Sequence, residues 1–366
     1  MFRLGHAAGG AWREAVDACL VQLGSGAGAT LGFVYMSDRL AGEAAAILER
    51  LQRETGVRDW VGTVGLGVIA TGTEYFDEPA LAVLLADFPP GEFSVFSGRS
   101  RPPPPGSRTP SGADAAHFAV VHGDPYTEDI PALVEDMSHK VASGFLVGGL
   151  ASSRTVMFQV ANGLLRGGLS GVVLSSGIPV AIRVSQGCAP LAARHRITRA
   201  EGNVIVTLDG RPALDVFRED VGEVLARDLA RAARYIHAAL PVAGSDTGDY
   251  LVRNLVGFDA RQRLLAIGAE VEPGMPLMFC RRDGAAARDD LERTLDSLAG
   301  EFRGPPRGAL YFSCVGRGEN LFGERSVELG IIRDRLGDLP LAGFFCNGEI
   351  SHDRLYGYTG VLTVFL

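Results

Sequence analysis

The sequence predicts an α/β fold of two lobes, in which mixed β-sheets are flanked by helices and sheet packs on sheet in α-β-β-α layers. Three observations lead there. A chain of 366 residues with 46% hydrophobic and 21% charged content can bury one large core or two moderate ones. One pattern of apolar strand, polar loop, amphipathic helix and glycine-rich strand returns three times. The strands of the third copy end in small and polar residues, as strands do at the ligand-binding edge of open α/β sheets.

The first copy begins with Leu31-Gly32-Phe33-Val34-Tyr35, continues through a helix over 40–55 and ends in the strand 60–67. The second runs from the strand 117–121 through a helix over 127–142 to the strand 144–150. The third pairs strands at 309–312 and 339–345 around one helix. A further strand follows each copy, at 80–87, 169–175 and 356–365. In the second helix Ile130, Leu133, Val134, Met137 and Val141 recur at helical spacing, so one face packs on a sheet. Strand-helix-strand units favour parallel neighbours and right-handed crossovers.

Between the first and second copies, GRSRPPPPGSRTPSG (98–112) removes backbone donors and reads as an exposed connector. Alternation in VAIRVS, HRIT and NVIVTL suggests an antiparallel meander over 179–208. Pro212 starts a helix expected to reach about Leu240, and Pro241 opens the second lobe.

The formal net charge of −8 comes without a Lys/Arg block, so no nucleic-acid partner is expected. The N-terminus lacks an apolar signal region, and Gly, Ser and Pro interrupt the most apolar stretches, so the expectation is a cytoplasmic protein without a membrane partner. The five cysteines are widely spaced with no C-x-x-C pair, which argues against a disulfide framework or a zinc ribbon. No pair of histidines has metal-ligand spacing, so neither metal nor cofactor is expected.

The blocks FSCVGRG, LAGFFCNGEI and LYGYTGVLTVF resemble the C-terminal half of FIST proteins. SDTGDYLVRNLVGFD (245–259) and FCRRDGAAARDDL (279–291) resemble the segment that opens that half. From 31 to 234 the chain is more loosely similar to the FIST N-terminal half, through LGFVYMSD and VGTVGLG. The resemblance implies an N-terminal-like region over 1–234, a C-terminal-like region over 235–366, and a cytoplasmic ligand-binding sensory module; with no kinase, cyclase or DNA-binding segment seen in the sequence, a signal is expected to pass through a separate protein.

The candidate ligand-binding residues are Cys314, Arg317, Gly318, Cys346, Asn347, Gly348 and Glu349, gathered after the two strands of the third copy. Arg317 between two glycines offers a forked donor pair, and Glu349 a carboxylate. Together they suit a small polar metabolite such as an amino acid; equally, Arg317 could brace the loops through Glu349 or Glu319. Two other classes stay open. A cysteine-dependent enzyme would use Cys314 or Cys346 with His352 as base, and a haem-based gas sensor would take His122 as its nearest approach to a ligand. The G-x-G-x-x-A run from Gly65 to Ala70 imitates a dinucleotide fingerprint but lacks the following helix that binds phosphate.

Overall fold

The computed structural model describes residues 2–242 and 250–366, so the start of the 245–259 block lies outside the described residues. The chain divides into two units, 1–185 with 289–366, and 186–288. The larger unit is built from three copies of one motif. Each has an edge strand, a first parallel strand, a helix, a second parallel strand, a hairpin and a closing strand antiparallel to the first.

In repeat 1 these are β1 (Arg3–Ala8), α1 (Trp12–Leu23), β2 (Leu31–Ser37), α2 (Ala44–Thr55), β3 (Asp59–Gly65), the hairpin β4 (Gly67–Ala70) and β5 (Thr73–Phe76), and β6 (Ala80–Ala86). Repeat 2 comprises β7 (Phe93–Phe96), β8 (Phe118–Gly123), α3 (Ile130–Ser138), β9 (Phe145–Leu150), the hairpin β10 (Gln159–Ala161) and β11 (Leu164–Leu165), and β12 (Leu169–Leu174). Repeat 3 begins with β13 (Val180–Ser185), and the smaller unit then intervenes.

That unit contains β14 (Cys188–Pro190), β15 (His195–Glu201), β16 (Val204–Leu208), β17 (Arg211–Pro212), α4 (Ala213–Ala226), α5 (Leu229–Ala232), β18 (Ile236–Pro241), β19 (Tyr250–Asp259), β20 (Leu264–Ile267) and β21 (Pro276–Arg282). Its antiparallel sheet closes on itself, because β18 pairs both β19 and β21. Leu214 and Phe217 of α4 pack on Ile197, Ile205, Leu208 and Phe279. Two expectations are corrected here. Val180–Ser185 joins the C-terminal strand Gly360–Phe365 in the larger unit instead of a meander with 195–208, and the helix expected to reach Leu240 gives way to β18. Tyrosine and β-branched context at 235–236 outweighed the helix-forming alanines.

Repeat 3 resumes with α6 (Gly284–Ala299), β22 (Gly308–Cys314), α7 (Glu319–Phe322), α8 (Val327–Leu336), β23 (Leu341–Cys346), the hairpin β24 (Glu349–Ser351) and β25 (Arg354–Tyr356), and β26 (Gly360–Phe365). The parallel pairs β2–β3, β8–β9 and β22–β23 sit at the heart of three six-stranded sheets. Each repeat lends its hairpin to another sheet in a closed cycle. β4–β5 extends repeat 3 through β23, β24–β25 extends repeat 2 through β9, and β10–β11 extends repeat 1 through β3.

The inner faces of all three sheets form one core, including Phe33 and Tyr35, Val120 and Val147, and Phe312 and Phe344. Helices cover the outer faces: α1 and α2 on the first sheet, α3 on the second, and α6 and α8 on the third. The layering is therefore helix-over-sheet repeated three times around one interior, where the sequence suggested two sheets face to face. The glycines of the second strands explain themselves. A Cβ on Gly62, Gly148 or Gly343 would lie 1.8, 1.8 or 1.7 Å from the carbonyl oxygen of Val34, Val121 or Tyr311 on the parallel neighbour. Only glycine lets these strands approach.

The registers make Tyr35, His122 and Phe312 equivalent, one residue beyond those neighbours. Their rings meet at the centre, with centroid separations of 5.6, 6.1 and 6.2 Å.

A buried polar cluster at the strand ends of repeat 3

At the C-terminal end of the third sheet the predicted residues come together only in part. Cys314 ends β22 and Cys346 ends β23, paired in register, and both are buried. The strand-end connections are tied by backbone bonds from Val315 N to the Cys346 carbonyl at 3.0 Å and from Arg317 N to the Cys314 carbonyl at 2.8 Å. Asn347 is exposed, and its N–H donates to the Leu150 carbonyl at 3.0 Å. Gly348 returns a carbonyl to Leu150 N at 2.9 Å, so both residues fix the hairpin onto β9. Gly318 starts α7 at φ 54°, where a Cβ would meet the Phe345 ring at 2.9 Å and Glu74 Oε1 at 3.1 Å.

Arg317 is fully buried, and its partner is Glu328 of α8, not the expected Glu349 or Glu319. Nε donates to Glu328 Oε1 at 2.7 Å, and Nη2 donates to the same oxygen. Glu328 also accepts from Tyr311 Oη at 2.5 Å and Ser313 Oγ at 3.0 Å, while Arg317 Nη1 reaches the Ser185 and Tyr358 carbonyls at 3.4 Å each. Burial works against the arginine's charge, but Glu328 more than compensates and holds the guanidinium firmly protonated. Glu319 instead pairs with Arg325 at the surface.

Glu349 lies within the same buried region. Its Oε2 accepts from Thr359 N at 3.1 Å and Thr359 Oγ1 at 2.8 Å; its Oε1 has no well-formed hydrogen bond among the described residues, and the Cys314 thiol is a weak donor to the carboxyl. Burial pushes its pKa up to about 8, against the lowering pull of Thr359, Arg317 and the Cys314 thiol. Glu74 of β5 is a further buried acid, raised to about 7 by burial despite the Glu319 N–H that donates to its Oε1 at 3.0 Å. The cluster therefore holds one ion pair and two carboxyls disposed to keep their protons near neutrality.

Burial, with Glu349 adding to it, also pushes both thiols up, so neither Cys314 nor Cys346 is poised as a thiolate. His352, the candidate base, bonds Asp353 at 2.8 Å and packs edge-on against Phe145. His122 is enclosed by Tyr35, Phe312 and Phe344, with Nε2 3.3 Å from Tyr35 Oη, and burial lowers its pKa to about 3. A haem iron there would have to displace those rings. Among the described residues no group of His, Cys, Asp and Glu could hold a metal ion, and no helix is long and apolar enough to cross a membrane.

Sequence reasoning missed Glu74, Glu328, Tyr311, Ser313 and Thr359. A signal for part of this existed: Tyr311 and Ser313 put two polar groups on the helix-facing side of an apolar strand, which demands a buried partner.

Fold and cluster together define a triple-repeat α/β module with a closed polar site at the strand ends of its third repeat. The sequence matches the FIST N domain over residues 30–211 and the FIST C domain over 213–352, and the chain belongs to the FIST family, whose domains are described generally as sensory. It is 34% identical over 349 residues to an uncharacterized protein of Mycobacterium tuberculosis, spanning 88% of each chain. It is 31% identical over 360 residues to an uncharacterized protein of Mycobacterium bovis, spanning 92% of this chain and 89% of that one.

Proposed function

We propose that this protein is a cytoplasmic sensor of a small polar metabolite bearing an amine, such as an amino acid, which it binds at Glu349 and reports through a separate partner. The observation that carries this reading is the Glu349 carboxyl, wholly buried, with no well-formed hydrogen bond to Oε1 among the described residues and only the weak Cys314 thiol donor beside the Thr359 bonds. A buried polar atom left unsatisfied costs about 1–3 kcal/mol, and a ligand ammonium would satisfy this one. Arg317, held by Glu328, adds a positive charge to the same buried region that would favour a ligand carboxylate. Because Glu349 is wholly buried, binding requires the structure around it to open. Such coupling of occupancy to shape is what a sensor needs. Free thiols at all five cysteines suit a reducing compartment.

The test is a thermal-shift screen with the twenty amino acids and simple biogenic amines, followed by calorimetry on wild type, Glu349→Gln and Arg317→Lys. Loss of the carboxylate, which a bound ammonium would hold ionised against its raised pKa, is expected to cost about 2–5 kcal/mol, or about thirtyfold and more in affinity. A folded Glu349→Gln protein with unchanged affinity would refute the site.

A further inference from the structure

Two of the five thiols meet in the smaller unit. β14 pairs antiparallel with β21, which places Cys188 opposite Arg282 and Pro190 opposite Cys280. On its other side β21 pairs with β18, where His237 stands opposite Cys280. Opposite residues share a face and side chains alternate along a strand, so Cys188, Cys280, Arg282 and His237 form one row. Ile236, Ala238, Leu277 and Phe279, the alternate residues, belong to this unit's apolar core, so the row occupies the other face. Both thiols are free and buried. They are hydrogen-bonded to each other, and that bond first, then burial and the neighbouring sulfur's charge, pushes the Cys280 thiol well up. The other cysteines are engaged differently: Cys314, beside Cys346, turns its thiol to Glu349, and Cys19 donates to the Leu81 carbonyl at 4.0 Å.

Two thiols held in contact react as a pair. Once one sulfur is oxidised, the other is already in place to attack it, which diverts the first from irreversible over-oxidation. A disulfide needs Cα atoms within about 7 Å, and diagonal neighbours across a ladder lie about 7–8 Å apart. The strand that can close this small difference is β14, three residues long and at the end of its sheet.

We propose that Cys188 and Cys280 form a reversible dithiol site that hydrogen peroxide converts to a disulfide. Cys188 is 5% exposed and Cys280 wholly enclosed, so peroxide meets Cys188 first. Arg282, across the ladder from it, supplies the cationic setting in which thiols attack. The Cys188 sulfur takes one oxygen as the O–O bond breaks, giving a sulfenic acid, and the thiol proton leaves in a molecule of water. The Cys280 sulfur then attacks the Cys188 sulfur; the S–S bond forms, the S–O bond breaks, and a second water carries away the Cys280 proton. Two thiols are thereby oxidised by two electrons, and one peroxide is reduced to two waters. The bond would tie the first strand of the unit to its last, closing 188–280 into a loop within a unit that spans 186–288. Closing so long a loop restricts the unfolded chain, so the oxidised form should resist heat better. Glu349 belongs to the other unit, and this site stands whether or not Glu349 binds an amine.

The test treats the reduced full-length protein with hydrogen peroxide in native buffer, denatures it, alkylates the remaining thiols and maps the peptides by mass spectrometry without reductant. Alkylated sites should fall from five to three, with one peptide pair joined through Cys188 and Cys280 and lighter by two hydrogens. Dithiothreitol should restore all five, and the oxidised protein should melt several degrees higher than the reduced one. In Cys280→Ser the reaction should stop at a Cys188 sulfenic acid that dimedone traps, whereas Cys19→Ala should form the cross-link as wild type does. Five sites still alkylated, a cross-link between any other pair, or thiol loss that dithiothreitol does not reverse would overturn the proposal. So would a cross-link that forms in urea as fast as in native buffer, since it would owe nothing to the folded contact.

Discussion

Glu349→Gln should change how stability depends on pH, because the native state holds the Glu349 proton more tightly than the unfolded chain does. The folded pKa of about 8 lies above the ordinary value of 4.5. A raised carboxyl contributes stability that is complete below pH 4.5 and is lost as pH rises through about 8. At about 1.4 kcal/mol per pH unit, that interval amounts to about 5 kcal/mol, an upper figure because water can enter as the group ionises. Other groups titrate alongside it. Glu74, raised to about 7, loses stability in the same direction, while His122, lowered to about 3, gains stability as pH rises from 3 to 6.5. Both are present in wild type and variant, so the difference between the two proteins isolates Glu349. The fold itself supplies the control for the substitution. Gln159 occupies the equivalent hairpin position in repeat 2, where it accepts from Ser170 Oγ at 2.6 Å and donates to the Gly168 carbonyl at 3.2 Å, so an amide fits this site. Urea denaturation of both proteins at intervals from pH 5 to 9 measures the difference. Wild type should be the more favoured at pH 5 and lose several kcal/mol relative to Glu349→Gln by pH 9. Curves that stay parallel within about 1 kcal/mol would refute a protonated, desolvated Glu349.

Gly343→Ala should abolish cooperative folding, since its Cβ would sit 1.7 Å from the Tyr311 carbonyl oxygen, whereas Gly42→Ala, with nothing within 4 Å, should melt like wild type; circular dichroism distinguishes them. Glu328→Gln leaves the Arg317 charge buried without its counterion and should cost about 3–5 kcal/mol by urea denaturation, while Arg325→Ala, which breaks exposed pairs, should cost at most about 1 kcal/mol. All five thiols are buried, so a thiol-specific reagent should label the native protein slowly and five sites after denaturation; fast native labelling lost in Cys346→Ser would revive the thiol-enzyme reading.

The sequence displayed the repeat because each copy obeys the same local rules: apolar strand, amphipathic helix, glycine at the crossing of the parallel pair. It could not display where the hairpins go. Val68-Ile69 and Gln159-Val160 look like ordinary extensions of their own repeats, and nothing local says that the first pairs with β23 and the second with β3. The insertion of 186–288 was hidden for the same reason. Val180–Ser185 has the alternation of any antiparallel strand, and its partner β26 lies far along the chain. Glu328 escaped notice because a glutamate in a helix reads as solvent-facing until the Tyr311 and Ser313 hydroxyls beneath it are placed.

The equivalence of the three hairpins gives the clearest argument that Glu349 is there for more than the fold. Register places Val68, Gln159 and Glu349 at one position on three borrowed strands, and all three are buried. Valine fills the position without any polar demand. Glutamine fills it with its carbonyl oxygen and its amide both engaged. The same backbone therefore tolerates two solutions that leave nothing unsatisfied, and the third repeat departs from both with a carboxyl whose Oε1 has no well-formed hydrogen bond among the described residues. Folding alone supplies no reason for that choice, because a glutamine or valine would remove the cost of burying an acid. That cost, present in one repeat and absent from the other two, is what the amine proposed to bind Glu349 would offset.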